Sequence, residues 1–191
     1  MPNINKIKEA IQGLDISDEI LSQFDCFTFV KGACPEPVIA LIDKMDELLT
    51  NEQILAVMEK QGCCKSGWRD KECKAFGKKY SDMPIEEKLT LIPNIPHFSA
   101  PRLNEDGTIT ITFNEYQNGV HTGKTTCSCG LIKKLKQPFS VSPTFCGCCA
   151  GHVLYHHQNA LGVKLRLKEI NSSPLNTNGE KPCEFTFEIV N

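Results

Sequence analysis

Gly107-Thr108-Ile109-Thr110-Ile111-Thr112-Phe113 is the stretch at which this chain changes its periodicity. Ile109, Ile111 and Phe113 alternate with Thr108, Thr110 and Thr112, the two-residue period of a strand with one buried face. Upstream, apolar residues recur every three or four positions instead. Ile4, Ile7 and Ile11 lead to a break at Gly13, and Asp15-Ile16-Ser17-Asp18 offers caps for a short helix through Phe24. Val38, Ile39, Leu41, Ile42, Met45, Leu48 and Leu49 mark a longer amphipathic run. Thr50 with Gln53 reads as a capping box for the next helix, whose inner face is Ile54, Leu55, Val57 and Met58 and which Gly62 ends. The basic segment Lys65 to Lys74, with the only tryptophan, Trp68, reads as a partly helical loop. Pro84 sits near the first turn of one more helix, and Pro93 and Pro96 close the helical half.

Downstream of Phe113, Asn118-Gly119 signals a hairpin turn that returns through Val120, Thr122 and Thr125 to Cys127 and Cys129. Val163, Leu165 and Leu167 alternate with Lys164, Arg166 and Lys168. Cys183, Phe185, Phe187 and Ile189 alternate with Glu184, Thr186 and Glu188. These two strands match as an antiparallel pair, three cations facing two carboxylates. A helix from about Gly151 to Leu161, stopped by Gly162, lies between the two hairpins. The expected fold class is α+β, in a single domain of 1–191: a mainly helical part, 1–96, then a cysteine-rich part, 97–191, with an antiparallel sheet of about four strands.

Twenty-one basic and 23 acidic residues give a net charge of −2, with no basic stripe, so nucleic acid is not an expected partner. No apolar run approaches the roughly 18 residues of a membrane-spanning helix, and the first residues lack the apolar region of a signal peptide. A cytoplasmic protein is expected. Eleven cysteines, an odd number in such a chain, argue against a disulfide framework and leave metal, catalysis or packing to explain them.

Five of the eleven fall in Cys127-Ser128-Cys129 and Cys146-Gly147-Cys148-Cys149, and the second cluster runs into His152, His156 and His157. In a strand, residues i and i+2 carry parallel side chains, so Cys127 and Cys129 can meet on one tetrahedral ion, with Cys146 and Cys148 as a second pair. These four are the expected metal ligands and zinc the expected ion; packed or redox-active free thiols are the alternative. Cys149 is then the surplus thiol. With a helix beginning near Cys148, Cys149, His152 and His156 share one side, and Cys149 with His152 as its base forms the candidate catalytic pair. The plain alternative is a buried cysteine beside two surface histidines. His157 falls on the apolar stripe and reads as a hydrogen-bonded core residue. Cys63, Cys64 and Cys73 read as helix-end packing, and Cys183 as packing on the last strand.

Cys127-x-Cys129, Cys146-x-Cys148-Cys149-x-Gly151-His152, Leu161-Gly162-Val163, Ser173-Pro174-Leu175 and Cys183-x-Phe185, with Met58 to Cys64 upstream, resemble a family of microbial cysteine-rich proteins. That family is similar to the L-2-amino-thiazoline-4-carboxylic acid hydrolase-like proteins and, more distantly, to 4-vinyl reductase domains. The resemblance covers roughly residues 40–190. It implies an α+β ligand-binding fold whose last helix and hairpin wall a pocket with cysteines near its mouth. The expectation is a small-molecule-binding or sensor-type domain with a zinc-binding or redox-active cysteine cluster. The rivals are a thiol- or zinc-dependent hydrolase of a small C–N or C–S substrate and a structural protein with packed cysteines. The expected partners are a small-molecule ligand and, as an open alternative, a second copy of the chain in a homodimer.

Overall fold

Thr50 accepts from the backbone N–H of Gln53, and the Gln53 side chain accepts from the backbone N–H of Thr50, so the capping box forms as its spacing predicts and starts helix α4, Asn51–Glu59. In the computed structural model of the chain, residues 2–28, 35–62, 65–94, 98–99, 101–113, 127, 129–132 and 141–190 are described. Before α4 come α1, Ile4–Gln12, capped by Asn3; α2, Asp18–Ser22, capped by Ser17; and α3, Glu36–Leu48. After it come α5, Trp68–Lys79, and α6, Ile85–Leu91. Helix α5 spans most of the segment whose composition predicts a partly helical loop. Of its twelve residues only Cys73 is fully buried, so it carries almost no apolar stripe for a sequence reading to find.

Strands β1, Pro101–Leu103, and β2, Ile109–Phe113, pair antiparallel around a turn at Asn104 to Gly107. Asp106 holds that turn: one carboxylate oxygen accepts from the Thr108 backbone N–H at 3.0 Å and from its hydroxyl at 2.6 Å. The hairpin at residues 101–113 thus lies on the other side of β2 from the one predicted at Asn118-Gly119, which falls outside the described residues, as does the predicted return through 120–125. After a 3-10 turn, Pro143–Cys146, helix α7 runs over Gly147–Leu161, four residues earlier than its pattern predicts. Gly162 then stops it at φ 72°, a left-handed conformation that glycine adopts without strain.

Strands β3, Lys164–Ser172, and β4, Cys183–Val190, complete a four-stranded antiparallel sheet in the order β1-β2-β4-β3. The protein is α+β, with its first half helical and its sheet in the second. Of the expected cross-strand charge pairs, Arg166 meets Glu188 at 2.6 Å, whereas Lys168 reaches Asp106 and Glu184 accepts from Thr112. Ile109, Ile111, Phe185 and Phe187 form the inner face of the sheet, each fully buried and worth about 1.5–3 kcal/mol of transfer free energy. They pack into one core with Ile7, Ile11, Leu41, Met45 and Met58 from the helices. Helix α7 lies in the middle, against α4, α5 and β3. Among the described residues no helix is long and apolar enough to cross a membrane.

Candidate functional site

The first turn of α7 is built for close approach. Ser142 caps the preceding 3-10 turn by accepting from the Thr144 N–H. A side chain at Gly151 would put its Cβ 2.6 Å from the carbonyl oxygen of Gln61, so only glycine lets α7 lie this tightly on the end of α4. This contact carries Cys146, Cys148 and Cys149 into the interior: Cys146 and Cys148 are buried, and Cys149 is half-exposed as a residue while its thiol is enclosed.

Five thiols from three segments act on one another electrostatically. Burial pushes the Cys146 thiol up to about 12, a hydrogen bond with the Ser173 hydroxyl pulls the other way, and Cys127 and Cys129 add to the rise. Cys149 is held well above the ordinary thiol range, first by burial and then by Cys146, Cys183, Cys129 and Cys127. Burial also raises Cys183, at the start of β4, and Cys146, Cys127 and Cys129 raise it further. Neighbouring thiols thus disfavour the thiolates of Cys146, Cys149 and Cys183, as like charges in a poorly solvated site must. Cys127 and Cys129 are not on a strand: the Cys129 N–H donates to the Cys127 sulfur at 3.4 Å.

Cys148, grouped with Cys146 by its spacing, is buried in the first turn of α7. It is felt by Lys65, whose amine burial and Lys6 push down and Cys148 pushes up. The first residues of α7 are helical, so the parallel i, i+2 geometry of a strand does not apply to Cys146 and Cys148. Of the expected ligands, Cys127, Cys129 and Cys146 are felt by the Cys149 and Cys183 thiols, and Cys148 is buried on α7 beside Cys149 in the chain. Among the described residues no three Cys, His, Asp or Glu side chains converge as a metal site requires.

The histidines of α7 are all buried. Both ring nitrogens of His157 lie beside carbonyl oxygens, Nδ1 at 2.9 Å from Val153 and Nε2 at 3.0 Å from Ser99; burial pulls its pKa down to about 4, and the neutral ring donates to one of the two. It is the hydrogen-bonded core residue its position predicts. His152 stacks against Phe113 at 5.7 Å and His156 at 4.6 Å between ring centroids, and burial, reinforced by His156 and Arg69, pulls its pKa down to about 3. No hydrogen bond joins it to Cys149, and no partner for its Nδ1 is found among the described residues. His156 instead meets Cys73 of α5, sulfur to Nδ1 at 3.6 Å. Arg69, Ser99, Phe113 and the three histidines line a small cleft. Phe113 is also the cross-strand partner of Cys183, so this cleft adjoins the thiol group.

Sequence reasoning read Cys183 and Cys73 as packing and could not name their neighbours, because both take their surroundings from long-range contacts that local spacing does not encode. An alternation that turns a cysteine inward at the first position of a strand was the available signal for Cys183. No family model matches the chain, and neither a curated protein nor a solved structure matches it.

Proposed function

We propose that the protein is a small-molecule-binding or sensor-type domain, as the resemblance to the thiazoline hydrolase-like family implies, whose responsive element is the group Cys127, Cys129, Cys146, Cys149 and Cys183. The observation that carries this reading is that thiols from three separate segments act together on Cys146, Cys149 and Cys183, whose thiols burial already raises. Two chemical fates relieve such crowding. Two neighbouring thiols can give up two protons and two electrons to a hydroperoxide, forming a disulfide as the peroxide leaves as alcohol and water. Alternatively, a soft cation takes up thiolates. The donors suit zinc chemically, but as placed they do not form a ligand shell. Oxidation asks only for the approach of one pair, so it is the better supported fate. Raised pKa values keep Cys146, Cys149 and Cys183 protonated near neutral pH, which makes them slow reporters rather than fast nucleophiles.

The hydrolase reading places Cys149 as nucleophile and His152 as its base, one helical turn apart. It is favoured by that spacing and opposed by a thiol held protonated, a weak base and the missing hydrogen bond between them. Zinc analysis of reduced protein, followed by disulfide mapping after prolonged hydroperoxide exposure, tests the proposal. The expected result is a disulfide within the five, lost in a Cys146→Ser/Cys149→Ser variant. Protein that holds no zinc and forms no disulfide among the five sinks it.

A further inference from the structure

Strand β3 is irregular where it passes the start of α4. Register shifts fall between Leu167 and Glu169 and between Ile170 and Ser172. Successive side chains of a regular strand point to opposite faces, and a bulge re-aims them. Glu169 and Ile170 accordingly border one cavity of about 250 Å³, together with Asn51, Ile54 and Leu55 of α4 and Thr144 of the 3-10 turn. Its volume is that of about eight liquid waters. It falls just below the roughly 300–1,000 Å³ of sites for drug-sized ligands, so its occupant is a small organic molecule.

The lining divides into an apolar part and a set of acceptors. Ile54 and Leu55 are buried and Ile170 partly so, which gives a hydrocarbon body a surface to cover. Thr144 donates its hydroxyl hydrogen to Asp46 at 2.7 Å, so only lone pairs are left to it for a ligand. Glu169 is the one ionisable residue in the described lining, and its carboxylate has neither a hydrogen bond nor an ion pair among the described residues. The neighbouring cations of β3 are engaged elsewhere, Arg166 with Glu188 at 2.6 Å and Lys168 with Asp106 at 3.3 Å.

The start of α4 opposes a cation, because Asn51 is its first residue and a helix N-terminus carries about half a positive charge. Glu52 in that same turn offsets it, and the Thr50 hydroxyl already occupies the Gln53 N–H. The full negative charge of Glu169 therefore decides the sign. We propose that this cavity binds a small organic amine as its ammonium, with the charge at Glu169 and the apolar body against Ile54, Leu55 and Ile170. The inference rests on the small-molecule-binding part of the proposed function and not on its thiol part, since no described lining residue is a cysteine.

The test titrates the intact protein with phenethylamine at neutral pH and constant ionic strength, following the Ile54 and Ile170 methyl signals by NMR. Those signals are assigned with Ile54→Val and Ile170→Val. 2-Phenylethanol, the same body without the charge, and 3-phenylpropanoate, which reverses it, are titrated in parallel. The expected result is a saturable shift with the amine in the millimolar range, alcohol binding weaker by about three- to fivefold, and no saturable shift with the carboxylate. Exposed Glu169→Gln is expected to bring amine binding down to that of the alcohol. Absence of a saturable amine shift overturns the proposal, as does amine binding no tighter than the alcohol's. Unchanged amine affinity in a folded Glu169→Gln overturns the site, and if that variant does not fold, the amine–alcohol comparison in the parent decides. Disulfide mapping of the thiols reads none of these results, so either proposal can fail without the other.

Discussion

Cys73 and His156 meet across the α5–α7 interface, thiol sulfur to Nδ1 at 3.6 Å, with both residues buried. Because Cys73 is the only fully buried residue of α5, this contact does for that helix what an apolar stripe does for α3 and α4. Replacing Cys73 by Ala is expected to destabilise the protein by about 1–2 kcal/mol, through lost packing beside an imidazole. Denaturant midpoints check it, with exposed Cys26→Ala as the control within about 0.5 kcal/mol of the parent.

Gly151→Ala sets two effects against each other. Alanine favours a helix interior over glycine by about 1 kcal/mol, but its Cβ would stand 2.6 Å from Gln61 O and 2.9 Å from Met58 O. Both are backbone atoms that cannot swing aside, so the clash wins. A net loss of about 1–3 kcal/mol, read from thermal or denaturant unfolding, is the expected outcome.

The buried histidines make the protein acid-sensitive. His152 and His157 have folded pKa values near 3 and 4 against an ordinary 6.5. Below about pH 6.5 the unfolded chain therefore binds protons that the folded one refuses. The stability they provide is present above that pH and is lost as pH falls toward 3, with a slope up to about 1.4 kcal/mol per pH unit for each proton. Unfolding midpoints between pH 7 and 4 should show it, and His152→Gln should flatten the dependence.

At the alkaline end the thiols act in the opposite sense. Cys146 keeps its proton to about pH 12 when folded and gives it up near 9 when unfolded. Its contribution is complete below pH 9 and falls away as pH rises toward 12. Alkylation at pH 7 should correspondingly label exposed Cys26 first and Cys146 and Cys149 last. Prompt labelling of Cys149 would favour the hydrolase reading instead.

Lys88 is 5 % exposed and donates from Nζ to the carbonyls of Leu161, at 2.9 Å, and Ser81, at 3.3 Å. It satisfies an acceptor at the C-terminal end of α7, where a cation also opposes the helix dipole. Lys88→Met keeps the bulk and removes the donor, and a loss of about 1–3 kcal/mol in chemical denaturation is expected.

The sequence reveals the parts of this fold that rest on local periodicity. Helices α3 and α4, the Thr50–Gln53 box, the Gly162 stop and the pairing of β3 with β4 all appear where spacing and caps place them. Helix α5 is hidden because it docks through Cys73, a close approach at Gly77 and the Asp70–Tyr155 hydrogen bond rather than through an apolar stripe. Cys148 lies on a helix because α7 begins earlier than its apolar pattern, so its spacing to Cys146 is not that of a strand pair. Cys183 and Phe113 become neighbours only through the β2–β4 register, a contact across seventy residues of chain that no local motif records.

Strand β3 carries a further consequence at the sheet's outer edge. Among the described residues no strand pairs with its outer side, yet two register shifts interrupt it, Lys164, Arg166 and Lys168 project into solvent, and the Leu167 N–H is already given to Glu59 at 3.1 Å. The opposite border, β1, is three residues long. Both margins are thereby poor templates for fibril growth, and a second copy of the chain that pairs with this one must do so through its helices or loops rather than by continuing the sheet.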